Sequence, residues 1–200
     1  MEVLLTLDDF IQKYDFKGSV VLLEGKRDVA DADKSKLIDL GKLLAEQTEH
    51  MIFRSGNADG ADYYFSKGVA EVDAERLEVI LPYSGHRKKA NIANKTYDLD
   101  NIDLEEEKDV IEQSMKNKEM KNLISEYVSG VKNRSTIKAA YIIRDTVKVI
   151  GTSTISKASF AIFYDDLDKP KTGGTGHTML VCEENNIPVI SQEIWFAWLK

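Results

Sequence analysis

Short apolar runs alternate with amphipathic stretches along the first part of the chain. Apolar residues dominate positions 20–23, 51–53 and 77–81, and each run ends at glycine, proline or charged residues. Runs of this length are typical of strands buried on both faces of a parallel sheet. Between them, apolar residues recur at helical spacing in 37–44 and 61–72. The pattern therefore predicts three strand–loop–helix units joined by right-handed crossovers.

The same alternation returns near the C-terminus. An apolar run at 159–164 is followed by a polar loop, a helix predicted over 179–186 and a last strand at 187–190. A short leading helix is predicted over Leu7–Tyr14, with acidic residues in its first turn, where they suit the helix dipole. We therefore expect an α/β protein with a Rossmann-like three-layer fold and a mainly parallel sheet, in a single domain spanning 1–200.

Residues 84–156 interrupt the alternation. They hold no pattern that predicts a strand, but apolar residues line one face of each of two helices, at about 120–131 and 135–150. We interpret this stretch as a helical insertion, or lid, that returns to the sheet. The chain closes on an aromatic tail over 193–200, which needs cover from the domain or from a partner subunit, so a homodimer is a possible state.

Composition narrows the class of protein. Two hundred residues with 42% hydrophobic and 30% charged side chains suit one soluble domain with a substantial core. The formal net charge of −7 argues against nucleic acid as a partner, although a local basic patch is compatible with it. The single cysteine, Cys182, excludes an internal disulfide. No apolar segment is long enough to cross a bilayer, and the N-terminus lacks the features of a signal peptide, so we expect a cytoplasmic protein without a membrane partner.

Polar, glycine-containing segments follow four of the predicted strands. In open α/β sheets, ligands bind beyond the carboxyl ends of the strands, where the strand order reverses. Glycines allow close approach of the backbone, and a helix that begins at such a loop offers free N–H groups to phosphate. We therefore expect a phosphate-bearing ligand at this edge, bound above all by the segment 173–178. The four segments are Gly25-Lys26-Arg27, Arg54 to Gly60, Pro82 to Arg87 and Gly173 to Thr178.

Several side chains in these segments allow more than one role. Arg27 and Arg54 could clamp a phosphate or form ion pairs with protein carboxylates. Asp59 and Asp62 could hold ribose hydroxyls or cap the helix that begins nearby. His86 and His177 could act as a general acid or base, or donate a hydrogen bond to phosphate. No cluster has the ligand spacing of a metal site, so we predict neither a metal nor a cofactor.

The order of these motifs resembles the SLOG superfamily, the Rossmann-like group that includes DprA, the LOG enzymes and the YspA-like proteins. Gly25-Lys26-Arg27 is similar to the GSR of that family, and residues 55–62, SGNADGAD, are similar to its SGGARGAD. Lys132-Asn133-Arg134 resembles the R-N segment of the YspA-like branch. Asp165 and the segment 173–178 resemble that branch's strand-end acid and GT-x-H turn. The resemblance implies nucleotide binding in a Rossmann-like fold.

The chain departs from the LOG enzymes at their glutamate-containing motif. LOG enzymes carry P-G-G-x-G-T-x-x-E, whose glutamate is implicated in cleaving the N-glycosidic bond of a nucleoside monophosphate. Here His177 follows Gly176, Val181 lies three positions beyond Thr178, and the nearest acids are Glu183 and Glu184. A LOG-like phosphoribohydrolase is therefore an alternative, and a DprA-like single-stranded DNA-binding protein is a less favoured one.

The main hypothesis is a protein that binds a nucleotide or a nucleotide-derived, phosphate-bearing small molecule, as a sensor or carrier or as a hydrolase. In the hydrolase, the candidate catalytic residues are His177 and Glu183. The predicted ligand-binding residues are Gly25, Lys26, Arg27, Arg54, Ser55, Gly56, Asn57, Asp59, Asp62, His86, Arg134, Gly173, Gly174, Thr175, Gly176 and Thr178.

Overall fold

The computed structural model of the protein describes residues 5–200. The start of the N-terminal segment, in which no signal peptide was predicted, lies outside this range. The described chain alternates strands and helices. Short 3₁₀ turns occupy several of the connections. The strands are β1 (Val20–Gly25), β2 (Ile52–Ser55), β3 (Leu77–Leu81), β4 (Lys95–Asp98), β5 (Phe160–Tyr164) and β6 (Val189–Ile190). The helices are α1 (Leu7–Tyr14), α2 (Asp31–Gln47), α3 (Ala61–Asp73), α4 (Lys108–Met115), α5 (Lys121–Val128), α6 (Ile137–Ile150), α7 (Gly173–Glu184) and α8 (Gln192–Trp195).

All six strands form one parallel sheet in the order β4-β3-β2-β1-β5-β6. The chain runs outward from β1 to β4 in one direction and from β5 to β6 in the other. The order therefore reverses between β1 and β5, whose ends align with Gly25 opposite Tyr164. This is the place where a doubly wound sheet leaves a crevice for ligands.

Apolar clusters cover both faces of the sheet. On one face, α1, α2, α3 and the C-terminal segment pack around Val21, Leu23 and Phe53. On the other face, α4, α5, α6 and α7 pack in two clusters around Leu22 and Ile80. Successive residues of β1 thus point to opposite layers, as a strand requires. The three-layer Rossmann-like fold predicted from the apolar runs is confirmed.

The expectation that 84–156 holds no strand is wrong. Lys95–Asp98 pairs in parallel with β3, with Val79 opposite Thr96. The strand lies at the edge of the sheet and is largely polar, so it lacks the apolar run by which the buried strands are recognised.

The start of α7 also differs from the prediction. The helix begins at Gly173 rather than at Met179, because the Gly176 N–H already donates to the Thr172 carbonyl at 3.0 Å. The preceding loop is closed by the buried Asp165, whose Oδ2 accepts from the Lys171 N–H at 2.8 Å. The glycine-rich segment is therefore the opening of a helix and not a free loop.

The aromatic tail is covered by the same chain. Trp195 is fully buried and donates from Nε1 to the Phe163 carbonyl at 2.9 Å, while Trp198 packs against Phe10. The tail thus needs no partner subunit for cover, and the homodimer stays a prediction without this support. None of the helices within 5–200 combines the length and apolarity that crossing a membrane requires.

Candidate functional site

A cavity of about 290 Å³ lies at the carboxyl end of β1, where the strand order reverses. Four parts of the chain line it. They are the end of β1 (Glu24, Gly25, Lys26, Arg27), the β2–α3 region (Ala58, Asp62), the buried face of α6 (Arg144, Asp145, Lys148) and the start of α7 (Thr172, Gly173, Gly174, Thr175, Thr178). We call this the switch-point cavity. It brings together nine of the predicted site residues: Gly25, Lys26, Arg27, Asp62, Gly173, Gly174, Thr175, Thr178 and, through its hydrogen bond to Asp62, Gly56.

The first turn of α7 faces this cavity. Its N-cap residue, Thr172, makes no side-chain hydrogen bond to the helix, so the first turn has no capping group of its own. A Cβ placed on Gly174 would meet only Asp145 Oδ2, at 3.5 Å. Neither packing nor a positive φ therefore demands glycine at this position. Its effect is to leave the helix end open to the cavity.

Asp62 ties the two strand-end segments together. One carboxylate oxygen accepts from the Gly25 N–H at 3.3 Å, and the other accepts from the Gly56 N–H at 3.1 Å and the Ala58 N–H at 3.3 Å. The amides of the β2–α3 segment thus point to a protein carboxylate. The expectation that the β2–α3 segment offers its backbone amides to a ligand is therefore corrected for Gly56 and Ala58. The first turn of α3 places the Asp62 carboxylate where it accepts from both amides.

Four buried charged residues form the inner wall of the cavity: Glu24, Arg144, Asp145 and Lys148. Lys148 Nζ lies 2.5 Å from Glu24 Oε1 and 2.8 Å from Asp145 Oδ1, and Arg144 Nε lies 2.9 Å from Asp145 Oδ1. Arg144 also donates from Nη1 to the Gly56 carbonyl at 2.5 Å. We call this set the buried charge cluster. It fixes α6 to the sheet directly beneath the cavity.

The charges of this cluster shift the pKa values of its acids in opposite directions. Burial raises the pKa of Glu24 to about 7, since Lys148 offsets only part of the cost of desolvation. Burial also acts on Asp145, but Arg144 and Lys148 outweigh it and lower the pKa of that carboxyl. The cavity wall therefore holds one fixed carboxylate and one acid that titrates near neutral pH.

The buried charge cluster contains no residue predicted from the sequence. The helix pattern of α6 was assigned from its apolar side, and Arg144, Asp145 and Lys148 fall among the remaining positions, where charges ordinarily face water. Their signal in the sequence is weak. It is a helix that is apolar on most of its surface and yet carries three charges within five residues.

Two cations among the predicted ligand-binding residues, Lys26 and Arg27, lie at the edge of the cavity. The Lys26 amide donates to the Tyr164 carbonyl at 2.9 Å, which holds this segment beside β5. Lys26 Nζ is 3.6 Å from Asp166 Oδ2 and 5.7 Å from the centre of the Tyr164 ring. Arg27 is exposed and also lines the cavity. Both side chains keep freedom to approach an anion.

Other predicted residues serve the framework next to the cavity. Arg54 is 1% exposed, and its guanidinium binds Glu78 of β3 at 2.6–2.7 Å and the Lys148 carbonyl at 2.8 Å. Ser55 Oγ accepts from the Asn57 N–H at 3.3 Å. Asp59 forms a two-pronged ion pair with Arg87 at the surface. Gly176 packs so closely on the Lys171 backbone that a Cβ would overlap it.

Neither candidate catalytic residue lines the switch-point cavity. His177 points toward α6, where burial lowers its pKa and its Nε2 has no hydrogen-bond partner among the described residues. Glu183 is exposed and pairs with Lys171 on the outer side of α7. Successive helix residues are rotated by about 100°, so His177 and Glu183 lie on a different side of α7 from Gly174 and Thr178, which line the cavity.

His86 and Arg134 lie away from the cavity on the side of β3. His86 packs edge to face with Tyr83 at 4.9 Å and with Tyr141 at 5.7 Å, and burial lowers its pKa to about 4. It is therefore neutral at pH 7. Arg134 is exposed and borders a separate cavity beside Tyr127. In the described part of the chain, no group of three or more His, Cys, Asp or Glu side chains is placed to hold a metal ion.

The fold and the cavity place the chain among Rossmann-like α/β proteins with a crevice at the strand-order reversal. No protein-family model matches the sequence, and no curated protein matches it. Among solved structures, DNA processing protein A (DprA) from Helicobacter pylori, described for its single-stranded DNA binding mode, is similar with a TM-score of 0.49 and 12% identity. The match covers 91% of this chain and 67% of that one. It is a distant likeness of fold to one of the proteins named in the SLOG resemblance.

The expectation that nucleic acid is not a partner is corrected: the similar structure is that of a protein described for binding single-stranded DNA, and the charge of this chain does not exclude such a partner. The expectation rested on the net charge of −7, which is a property of the whole chain. Binding to a polyanion depends instead on the local field. Arg27 and Lys88 are exposed in segments at the carboxyl edge of the sheet, so the net charge of the chain does not describe that surface.

Proposed function

We propose that the protein binds a nucleotide or a nucleotide-derived, phosphate-bearing small molecule in the switch-point cavity. The observation that carries the proposal is the uncapped first turn of α7, which opens onto a cavity of about 290 Å³ through a glycine that packing does not require. Helix N-termini with accessible amides are favourable sites for phosphate. The volume is at the lower end of the range of small-molecule sites, which favours a mononucleotide or a sugar phosphate.

Electrostatics determines how such a ligand would lie. On the inner wall, Arg144 and Lys148 are already paired with Asp145 and Glu24, so they leave no free positive charge for a phosphate. The phosphate therefore belongs at the outer side, between the α7 amides and the cations Lys26 and Arg27. Carboxylates accept hydrogen bonds well from hydroxyl groups. The sugar hydroxyls therefore belong on the inner wall, and the base would extend toward the open side of the cavity.

The placement of the acids and histidines favours binding over the hydrolysis first assigned to His177 and Glu183. A general acid or base must come within hydrogen-bonding reach of the reacting group. Neither residue lines the cavity. Chromatography of nucleotides incubated with the protein distinguishes the two roles: a sensor or carrier returns the ligand unchanged, whereas a LOG-like phosphoribohydrolase releases free base.

We expect a nucleotide that fits this cavity to raise the melting temperature. At a concentration one hundred times Kd the stabilisation is about 2.7 kcal/mol, which corresponds to roughly 5–10 °C for a protein of this size. Gly174→Val should fold as the wild type does and lose this rise, because its side chain would occupy the space above the α7 amides. Thermal unfolding with a panel of nucleoside monophosphates and sugar phosphates is the measurement.

Leu180→Val is the matched control, since Leu180 is exposed on the same helix and lies outside the cavity. It should retain the full rise in melting temperature. The proposal is wrong if no member of the panel stabilises the wild type, or if Gly174→Val responds as the wild type does.

A second candidate is binding of single-stranded nucleic acid along the edge beside β3. The rings of Tyr83, His86 and Tyr141 lie in contact there, and the nearby charges of Arg144, Arg87 and Arg27 add to burial in lowering the pKa of His86. Aromatic rings with nearby cations suit unpaired bases and their phosphates.

The DNA candidate predicts salt-sensitive binding of a labelled oligothymidylate, weakened by about tenfold or more on Tyr141→Ala. Tyr63→Ala, at a half-exposed ring on α3, is the control. Fluorescence anisotropy at several salt concentrations measures both. Equal affinities of the two variants would rule out this edge as the binding surface.

A further inference from the structure

The buried charge cluster presents hydrogen-bonding groups to the switch-point cavity even though its charges are paired. Asp145 is 3% exposed, and its Oδ1 lies 2.9 Å from Arg144 Nε and 2.8 Å from Lys148 Nζ. Its other oxygen, Oδ2, lies 3.5 Å from the point that a Cβ on Gly174 would take. No other described residue outside α7 comes within 4 Å of that point. Asp145 Oδ2 therefore borders open space beside the first turn of α7.

This oxygen is the fixed acceptor of the inner wall. It accepts no hydrogen bond from any residue in 5–200, and it is not enclosed by protein atoms, whereas Glu24 Oε1 is. Burial opposes the charge of Asp145, but Arg144 and Lys148 outweigh it and lower the pKa, so the carboxylate stays ionised at neutral pH. Asp145 thus offers a charged acceptor to whatever occupies the cavity.

Lys148 adds a donor beside this acceptor. Its ammonium group has three N–H donors and contacts two carboxylates, at 2.5 Å from Glu24 Oε1 and 2.8 Å from Asp145 Oδ1. Burial opposes its charge, but Asp145 and Glu24 outweigh burial and raise the pKa of Lys148, so the group keeps all three protons. Because Lys148 lines the cavity, one N–H remains for a ligand.

The acceptor and the donor are held in place by the packing of α6. Asp145 and Lys148 are three residues apart on one side of this helix. Ile143 and Val147 belong to the apolar cluster around Ile80. The Lys148 carbonyl accepts from Arg54 Nη1 at 2.8 Å, which ties this part of α6 to the sheet. Groups fixed in this way lose little conformational entropy when a ligand binds.

A wall of this kind suits a neutral hydroxyl better than an anion. Its paired charges leave no free cation for a phosphate, but a hydroxyl donates one hydrogen bond and accepts others. In a nucleotide whose phosphate lies at the α7 amides, the sugar is the group next to the phosphate. Since Asp145 Oδ2 borders the same helical turn, the sugar reaches it before the base does.

We propose that the switch-point cavity selects a ribose phosphate over its deoxyribose counterpart, and that Asp145 is the residue that determines this specificity. A sugar hydroxyl donates to Asp145 Oδ2, and Lys148 Nζ donates to a hydroxyl of the same sugar. A deoxy sugar leaves a buried carboxylate oxygen without a donor, and sites built around a hydroxyl reject analogues that lack it. The inference rests on the proposed nucleotide site and adds which sugar that site takes.

Isothermal titration calorimetry of the wild type tests the selection directly. The probes are the four common ribonucleoside 5′-monophosphates, each with its 2′-deoxy and 3′-deoxy forms. For every ribonucleotide that binds, we expect at least one of the two deoxy forms to bind about tenfold or more weakly, as for one hydrogen bond to a charged group. Equal affinities, within threefold, of the ribo form and both deoxy forms would overturn the inference while leaving the nucleotide site intact.

Asp145→Asn should reduce the preference to about threefold or less, because a neutral acceptor forms a weaker hydrogen bond than a carboxylate. The affinity of the deoxy form should stay close to that of the wild type, since the phosphate contacts remain, whereas a loss of folding would weaken both forms together. Asp39→Asn makes the same substitution at an exposed acid on α2, outside the cavity, and should keep the wild-type preference.

The possible results are distinct. Retention of the full preference by Asp145→Asn would overturn the role of Asp145. If Asp145→Asn binds neither form, the preference of the wild type decides whether the cavity selects ribose. If no probe binds to the wild type, the nucleotide site itself is wrong and the inference falls with it.

Discussion

Replacing Arg54 by methionine is expected to lower the free energy of unfolding by about 3–5 kcal/mol. Arg54 is buried between β2 and β3, where it neutralises Glu78 and donates to the Lys148 carbonyl. Removal of the guanidinium leaves Glu78 buried with only Lys95, 4.0 Å away and largely exposed, as a counter-charge. A buried carboxylate without a partner is costly, and that cost is the expected loss, measured by urea denaturation.

Two comparisons separate this effect from a general loss of side-chain packing. The double variant Arg54→Met with Glu78→Leu removes both charges, so it should regain most of the stability. Arg87→Met breaks an exposed pair with Asp59 and should cost at most about 1 kcal/mol. A loss below about 1 kcal/mol for Arg54→Met would show that Arg54 is not a framework residue and would return it to the candidates for ligand binding.

Glu24→Gln is expected to change how stability depends on pH, by about 3 kcal/mol between pH 4.5 and 7.5. The folded protein holds the pKa of Glu24 at about 7, whereas an unfolded chain ionises near the ordinary value of 4.5. Between these values the folded state binds more protons, so the wild type loses stability from this group as pH rises. Glutamine does not titrate, so the variant should become more stable relative to the wild type over the same interval.

The difference between the two proteins isolates Glu24 from other titrating groups. The pKa values of His86 and His177 are lowered by burial, so these residues add stability as pH rises through the acidic range, which opposes the effect of Glu24. Because the wild type and Glu24→Gln both contain these histidines, their contribution cancels in the difference between the two proteins. The groups that act directly on Glu24 are Lys148, Asp62 and Asp145. Urea denaturation from pH 4.5 to 8 should show a widening difference, and a constant difference would mean that the pKa of Glu24 is the same in the folded and the unfolded protein.

The sheet could be predicted because its buried strands have a distinctive sequence. Val20 to Leu23 and Phe160 to Tyr164 are covered on both faces, and such strands need apolar residues at every position. The edge strand Lys95–Asp98 meets no such requirement, because solvent reaches it and polar residues suffice. It was therefore missed. The start of α7 at Gly173 was predicted too late for a different reason, which is that glycine and threonine have low helix propensity.

The candidate site could be predicted only in part. The segments at Gly25 and Gly173 were recognised by their glycines and their position after strands, and both line the switch-point cavity. Arg54 and Asp62 were read as ligand-binding groups, but the structure gives each of them protein partners. Whether a charged residue at a strand end meets a ligand or another side chain depends on what packs above it, which the local sequence does not contain.

By itself, the sequence determined the apolar runs, the helix periods and the glycine-rich segments that follow the strands, and these were enough to specify a parallel three-layer fold. Only the tertiary structure decided that α6 places Arg144, Asp145 and Lys148 beneath the end of β1, far away in the chain. It also decided that His177 faces away from the cavity. The physical reason is that burial and charge pairing are relations between distant residues. Local patterns report secondary structure, whereas the environment of an ionisable group exists only after the layers have packed.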